Sequence, residues 1–143
     1  MRLSFTIPGE PVAKGRPRAS VISGRARMYT PAKTQSYEAQ AKWFAEQAIS
    51  QTPGFEPISD RPISLSVLAV FAIPASWSKR RVAACAESPE PCIKRPDSDN
   101  VLKVIGDALN GILWRDDSQV ADACIRKVYG QNPRVEVLVE VMP

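Results

Sequence analysis

Both ends of the chain alternate apolar and polar side chains, which is the pattern of a strand with one buried face. Leu3, Phe5 and Ile7 share a face near the start, and Pro8-Gly9 follows them as a turn signal. At the far end the apolar face is made of Val135, Val137, Val139 and Val141. Glu136 and Glu140 fall on the opposite face of that last segment. We therefore predict a half-buried strand at each end.

The strongest strand pattern lies between residues 62 and 73. One face carries Ile63, Leu65, Val67, Ala69, Phe71 and Ile73. The other face is also mostly apolar once Ser64 and Ser66 are passed. A strand that is apolar on both faces is typical of the centre of a sheet. A further strand is predicted over roughly 119–129, after a turn at Asp116-Asp117-Ser118.

Two longer segments place their apolar residues at helical spacing. The first covers about 34–50, with Thr34 or Ser36 as its expected N-terminal cap. The second lies within 99–113, and Gly111 is its expected stop. The predicted buried stripes are Tyr37, Ala41, Phe44, Ala45 and Ala48 in the first helix and Val101, Ile105, Ala108, Leu109 and Ile112 in the second. A short capped helix with the basic patch Lys79-Arg80-Arg81 is expected between them.

The order of these elements is β–α–β–α–α–β–β, which predicts an α+β fold with a mixed sheet and two main helices. The segment from Pro11 to Thr30 is basic and interrupted by glycine and proline, so it predicts a loop or a loose hairpin. The sequence has no internal repeat and no linker. We therefore expect one domain covering residues 1–143.

Length and composition agree with a single globular domain. The chain has 143 residues, of which 44% are hydrophobic and 24% charged. The longest largely apolar stretch, 65–73, is too short to span a bilayer, and the N-terminus has no long apolar signal region. A cytoplasmic protein without membrane association is the expectation.

The sequence contains no histidine, and this excludes several classes of catalytic site. Ser-His-Asp and Cys-His nucleophilic catalysis cannot be built within this chain. Cys85, Cys92 and Cys124 form no C-x-x-C pair, so a zinc site is disfavoured and reduced cysteines are expected. Hydrolytic chemistry must then rest on carboxylates, lysines, hydroxyls or a metal ion.

The net charge of +4 conceals a strong separation of charge along the chain. Six basic residues and no acidic residue lie between Pro11 and Lys33: Lys14, Arg16, Arg18, Arg25, Arg27 and Lys33. Six of the seven aspartates lie between 97 and 122: Asp97, Asp99, Asp107, Asp116, Asp117 and Asp122. A metal-dependent enzyme that acts on a polyanion needs both features, because cations hold the substrate and carboxylates hold the metal.

The stretch RPDSDNVLKVIGDALNG places two aspartates at the start of the second long helix. Asp97 or Asp99 is expected at the N-terminal cap, where a carboxylate accepts free backbone N–H groups. Capping needs only one of them, and the second would be repelled unless a cation lies between the two. Lys103 lies about one turn after Asp99 on a similar face. Its alternative role is a surface ion pair with Asp107, which is itself either a pairing partner or a ligand.

Asp116 and Asp117 follow one helix length later and could return beside the first pair. Three or four carboxylates would then form an oxygen-only site suited to Mg²⁺ or Mn²⁺. Such a metal activates water and neutralises charge on a phosphate, and Lys103 could stabilise transition-state charge. This reasoning favours a metal-dependent phosphoryl-transfer enzyme.

The segment RPDSDNVLKVIGDALNGILWRDDSQV also resembles the signature of the RusA-type Holliday-junction resolvases, D-x-D-N-x-x-K-x-x-x-D-A-L followed by W-x-D-D-x-Q-V. The N-terminal FTIPGEPVAKGRPR is similar, more weakly, to the family's first strand and basic loop. The resemblance implies a homodimeric endonuclease of DNA recombination and repair that cuts four-way junctions by paired nicks with Mg²⁺ or Mn²⁺. It implies Asp97, Asp99 and Asp117 as metal ligands and Lys103 as the catalytic lysine. Asp116 stays a candidate ligand.

The basic loop gains a role in this setting. Lys14, Arg16 and Arg18 are candidates for contact with DNA phosphates, the alternative being a solvated surface loop. Two other functions stay open: a non-catalytic DNA-binding protein, and a metal-dependent nucleotidyl- or glycosyl-transferase that uses D-x-D. The transferase lacks support from a Gly-rich nucleotide loop.

Overall fold

The computed structural model describes the backbone of residues 1–143 and every side chain except that of residue 22. The strands are β1 (Arg2–Pro8), β2 (Arg18–Ile22), β3 (Arg25–Tyr29), β4 (Ile63–Ala72), β5 (Val120–Gly130) and β6 (Arg134–Val141). The α-helices are α1 (Ala32–Gln51), α2 (Lys79–Glu87) and α3 (Ser98–Leu109). A single 3₁₀ turn, Asp117–Gln119, precedes β5.

The main sheet has the strand order β1-β6-β4-β5. Strand β6 pairs antiparallel with both β1 and β4, whereas β5 runs parallel to β4. The α+β class with a mixed sheet is therefore confirmed, and so is the interior position of the strand that is apolar on both faces. Strands β2 and β3 form a separate antiparallel hairpin within the basic segment.

The core lies between one face of the main sheet and the helices α1 and α3. The alternating apolar residues of β1 and β6 point into it, and Leu3, Ile7, Val135 and Val139 are all 0–1% exposed. Helix α3 buries Val101, Val104, Ile105, Ala108 and Leu109. Ile112 was wrongly predicted in this stripe: the helix ends at Leu109, and Gly111 turns the chain with a φ of +81°.

The opposite face of the main sheet is largely open to solvent. One row across its four strands reads Ser4, Leu138, Ser66 and Cys124, and the next reads Thr6, Glu136, Leu68 and Arg126. These side chains are exposed or half-buried, and all of them except Cys124 line a shallow concavity of about 590 Å³ together with Arg2. Helix α2 packs beside the far end of β5, where the Cys85 thiol donates to the carbonyl oxygen of Tyr129.

The start of α1 differs from the sequence prediction. Thr34 and Ser36 were wrongly expected as caps, because the helix already begins at Ala32, directly after Pro31. The Thr34 hydroxyl is instead buried and accepts a hydrogen bond from the Gly15 backbone N–H at 3.0 Å. A Cβ atom on Gly15 would come within 2.9 Å of both Pro31 and Thr34. This hydrogen bond and the close packing at Gly15 hold the basic loop against the first turn of α1.

The cap of α2 and the state of the cysteines agree with the predictions, whereas Phe44 and Ala48, expected in the buried stripe of α1, are only half-buried. Helix α2 is capped by Ser78, whose hydroxyl accepts from the Arg81 N–H at 3.2 Å. Cys85, Cys92 and Cys124 are free thiols, of which the first two are buried. In the described part of the chain, no helix combines the length and the apolar character that crossing a membrane requires.

Candidate active site

The two aspartates of the D-x-D stretch sit at the beginning of α3. Asp97 is the N-cap residue and Asp99 lies in the first turn, and both are exposed. The predicted position of Asp97 is correct, but the predicted capping bond is wrong: its carboxylate accepts no capping hydrogen bond from the described residues. Among the described side chains, no hydrogen bond or ion pair involves either carboxylate. Their oxygens are free to bind something else.

The start of α3 is held in place by the chain on both sides of it. The Lys14 backbone N–H donates to the carbonyl oxygen of Asn100 at 3.1 Å, which places the basic loop against the first turn of the helix. The segment before the helix is tied to β5, since the Cys92 N–H donates to Lys127 O at 2.9 Å and the Lys127 ammonium donates to Lys94 O at 2.6 Å. The aspartates therefore project from an anchored helix end.

Lys103 lies one turn farther along α3, within an alternating chain of charges. Its ammonium is 3.4 Å from one oxygen of Asp107, and the Lys14 ammonium is 3.2 Å from the other. Lys14 also contacts Glu38 of α1 at 2.6 Å. The Lys103 side chain is 62% exposed whereas that of Asp107 is 24% exposed, so the lysine head reaches outward from a partly buried carboxylate.

Lys14 is a structural cation in this network. Partial burial alone lowers the pKa of its ammonium, but the hydrogen bonds and charges of Glu38 and Asp107 outweigh burial, so that its pKa is raised above the ordinary 10.5. Its two partners belong to α1 and α3, and the loop is thereby bound to both helices. The Lys14 ammonium thus already has two anionic partners within the protein. Whether it also contacts DNA stays a prediction.

Asp116 has a defined local task. Its carboxylate accepts hydrogen bonds from the backbone N–H and the hydroxyl of Ser118, while Gln119 accepts from the Asp116 N–H at 2.9 Å. Together these bonds form a capping box around the 3₁₀ turn. The Ser118 hydroxyl, followed by the Ser118 backbone N–H, holds the pKa of Asp116 below its usual value.

Asp117 is oriented differently from its neighbour. One of its carboxylate oxygens accepts from the indole N–H of Trp114 at 2.9 Å. Trp114 is only 1% exposed, so its ring is fixed by the core and its polar edge faces the turn. The second Asp117 oxygen has no partner among the described side chains. The buried Trp114 ring thus fixes the orientation of the exposed Asp117 carboxylate.

The start of α3 offers oxygen donors of the kind a divalent cation needs. Exposed carboxylates without partners at Asp97 and Asp99 supply the hard oxygen ligands that Mg²⁺ and Mn²⁺ require. Residue 22 aside, no three Asp, Glu or Cys side chains converge to form a ready cation site. The chemistry of the D-x-D pair fits the metal, and its convergence with Asp116 or Asp117 stays a prediction.

A basic groove adjoins this helix end. A cavity of about 470 Å³ is lined by Arg16, Arg18 and Lys33 together with Pro96, the residue before Asp97. Arg16 and Arg18 are exposed, and neither belongs to an ion pair within the described residues. The cation-rich and aspartate-rich parts of the sequence are therefore neighbours in space.

Sequence reasoning missed two contributors to this region. Glu38 was not singled out, and its pairing with Lys14 spans 24 residues of sequence, so no local pattern reveals it. The Trp114–Asp117 bond has a local signal, because a buried indole needs an acceptor and an aspartate follows three residues later.

Comparison with known proteins adds two findings. The family model for "Endodeoxyribonuclease RusA" matches residues 8–140, which is nearly the whole chain. "Uncharacterized protein YqaN" of Bacillus subtilis (strain 168) is 38% identical over 140 residues. That match covers 96% of this chain and 94% of the relative.

Proposed function

Because this chain belongs to the endodeoxyribonuclease RusA family, we propose that it is a metal-dependent endonuclease that resolves four-way DNA junctions by paired symmetric nicks. Its place is in DNA recombination and repair. One observation carries the proposal: Asp97 and Asp99 present unpartnered carboxylates at an anchored helix end, directly beside a groove lined by arginines. Cations to hold a phosphate backbone and oxygens to hold a metal are side by side.

The metal in this proposal is Mg²⁺, with Mn²⁺ as a substitute, held by Asp97, Asp99 and Asp117. When bound, such an ion lowers the pKa of a coordinated water and neutralises charge on the scissile phosphate. Asp117 is preferred to Asp116 because Trp114 orients it and leaves an oxygen free, whereas Asp116 is already used by Ser118. Asp116 then acts as the cap that fixes the position of Asp117.

Lys103 is proposed as the catalytic lysine that stabilises charge on the phosphate. Its exposed ammonium lies one helical turn beyond Asp99, and Asp107 restrains it from behind. Because Asp107 also pairs with Lys14, the position of the lysine is coupled to the docking of the basic loop. A phosphate held by that loop is thereby presented to Lys103.

The basic loop is proposed to hold the DNA backbone. Arg16 and Arg18 are exposed and line the groove beside Pro96, where they contact phosphates without reading sequence. Lys14 adds positive potential from its partly buried position and keeps the loop attached. These electrostatic contacts with phosphates make DNA binding strongly dependent on the salt concentration.

We propose that the active form is a homodimer, because one chain carries one aspartate site and a junction needs two nicks. The apolar faces of β6 and α3 are already buried in the chain's own core, and that of α1 is buried in large part, so the contact needs another surface. The open face of the main sheet carries Arg126 and Glu136 in one row across Leu68. A two-fold related copy would set each of these charges against its opposite, as an isologous contact requires.

The test is cleavage of a four-way junction labelled on each strand in turn. With Mg²⁺ or Mn²⁺ we expect symmetric nicks in two opposing strands, and with a chelator we expect binding without cleavage. A non-catalytic junction-binding protein would bind under both conditions and never cut. A sugar-nucleotide transferase would leave the junction intact, and a monomer mass in sedimentation equilibrium with only single nicks would reject the dimer.

A further inference from the structure

The hairpin β2–β3 has two chemically different faces. Opposite residues of an antiparallel pair point to the same side, and the register pairs Arg18 with Tyr29 and Ser20 with Arg27. Arg25 lies two residues before Arg27 on β3 and therefore shares their side. The alternate register positions carry only small or apolar residues: Ala19, Val21, Ala26 and Met28. One side is therefore an arginine face and the other an apolar face.

Both faces are presented to solvent. Every residue of β3 is exposed, and Val21 and Met28 are 76% and 67% exposed. Within the described residues, Arg18, Arg25 and Arg27 take part in no ion pair. No acidic residue occurs between Glu10 and Glu38. The arginine face thus carries three unneutralised cations, and its charge complements a polyanion.

The base of the hairpin lies at the candidate active site. Arg18, the first residue of β2, lines the groove beside Pro96, and Lys33 lines it just after the hairpin returns. Five paired residues extend the ribbon by about 17 Å from that base. Adjacent phosphates of one DNA strand are about 3.4 Å apart along the duplex axis, so the ribbon matches about five base pairs. A two-stranded ribbon is also narrow enough for the major groove.

We propose that the arginine face of this hairpin grips one duplex arm of the DNA, over about five base pairs next to the cut. The inference rests on the proposed function and adds Arg25 and Arg27 to the DNA-binding surface. Arg18 at the base and Arg25 near the tip contact phosphates at the two ends of that interval. Tyr29 lies beside Arg18 in the register and faces the same DNA.

The test measures DNA binding by fluorescence anisotropy in EDTA, so that no cleavage is needed. For Arg25→Gln with Arg27→Gln we expect the salt slope to fall by about two, so that the affinity lost between 50 and 200 mM salt shrinks roughly tenfold. The matched control is Lys79→Gln with Arg80→Gln on α2, which removes the same charge from exposed positions. An equal effect of the control would show that net charge alone matters, and would overturn the proposal.

A second pair of variants separates the two faces. Val21→Ser with Met28→Ser changes only the apolar face, and we expect its DNA affinity to stay within twofold of the unaltered protein. A loss of DNA affinity as large as that of the arginine variant would place DNA binding on the apolar face and overturn the proposal. Circular dichroism and thermal melting of each variant confirm that the domain is folded.

Two further readouts test the ligand and the reach. Vesicles of phosphatidylcholine and phosphatidylserine test the alternative of an anionic membrane: binding that depends on Arg25 and Arg27, with DNA binding unaffected, would overturn the proposal. Junctions with all four arms shortened stepwise should keep the difference between the arginine variant and the unaltered protein until the arms approach about five base pairs. Since these readouts need no cleavage, a failure of the proposed nuclease activity remains distinguishable from a failure of the hairpin proposal.

Discussion

Two aspartate pairs open two helical segments of this protein, and they are used in opposite ways. At the 3₁₀ turn, Asp116 accepts from Ser118 and Asp117 accepts from Trp114. At the start of α3, Asp97 occupies the same kind of cap position, yet neither it nor Asp99 accepts a hydrogen bond from a described side chain. Asp116 is used by its own turn and Asp117 keeps one oxygen without a described partner, whereas both carboxylates at the start of α3 are left available.

The difference shows how a functional carboxylate can be separated from a structural one. A cap that satisfies backbone N–H groups stabilises its turn, so its presence needs no further explanation. Two nearby exposed carboxylates without partners repel each other, and they support folding only through their charge at the positive end of the α3 dipole. Residues that break a local rule without a compensating contact are expected at functional sites. By this criterion the carboxylates at the start of α3 are the functional ones.

The largest expected effect comes from Asp97→Asn. We expect junction cleavage to fall roughly a thousandfold, because a metal-ligand charge is lost, while junction binding and thermal stability stay nearly unchanged. Cleavage under single-turnover conditions and binding in EDTA give the two readouts. Asp122→Asn, at another exposed aspartate, is the control and should cut normally. Equal loss of binding and cleavage in a folded Asp97 variant would contradict the assignment.

The next effect tests the divided roles of Asp116 and Asp117. Asp117→Asn keeps an oxygen for the Trp114 indole but removes the charge, so we expect cleavage to fall about a hundredfold with little change in melting temperature. Asp116→Ala should do the reverse, lowering the melting temperature while cutting at a rate within a few-fold of normal. If the two variants exchanged these phenotypes, Asp116 would be the ligand.

A smaller effect is expected from Asp107→Asn, which loosens both Lys103 and Lys14. We expect cleavage to fall about tenfold, since Lys103 keeps its charge but loses a positioning partner. The raised pKa of Lys14 gives a second readout: its stabilising contribution is complete below pH 10.5 and is lost as the pH rises through the higher folded pKa. The variant should therefore lose less stability than the unaltered protein in alkaline melts. An identical alkaline profile would argue against this network.

The smallest effect should come from Ser118→Ala. It removes the hydroxyl that holds the pKa of Asp116 down, so we expect a decrease of no more than about 2 °C in melting temperature and no change in cleavage. A lowered carboxyl pKa stabilises above the ordinary value of 3.8 and ceases to do so as the pH falls through the folded pKa. The variant should be less sensitive to acid over that interval. A clear loss of cleavage would mean that the Ser118 hydroxyl is itself needed at the active site or to position Asp117.

The fold was largely predictable because its main elements have strong periodic patterns. The alternation at Leu3–Ile7 and Val135–Val141 and the two-sided apolar run of β4 each predicted the strand that forms. Predictions failed where a partner distant in sequence decides the outcome. Threonine is a common helix cap, but the Thr34 hydroxyl forms hydrogen bonds with the backbone of Gly15 and Ala13 instead. Local pattern cannot reveal such a contact.

The sequence pattern was enough to choose the candidate site residues, but it did not reveal which side chains they contact. The D-x-D spacing singled out Asp97, Asp99 and Lys103 without knowledge of the fold. That Lys14 would bind Glu38 and Asp107 depends on how α1 packs against α3, which composition does not determine. The choice between Asp116 and Asp117 likewise rests on the hydrogen bonds of a single turn.

The central claim is that Asp97 and Asp99 hold the catalytic metal, and a crystal of the protein soaked in Mn²⁺ tests it most directly. Anomalous scattering locates the ion independently of activity. We predict a peak at coordination distance, about 2.1 Å, from carboxylate oxygens of Asp97 and Asp99, and its loss in the Asp97→Asn protein. A peak confined to Asp116 and Ser118, or no peak near the start of α3 at saturating Mn²⁺, would contradict the account.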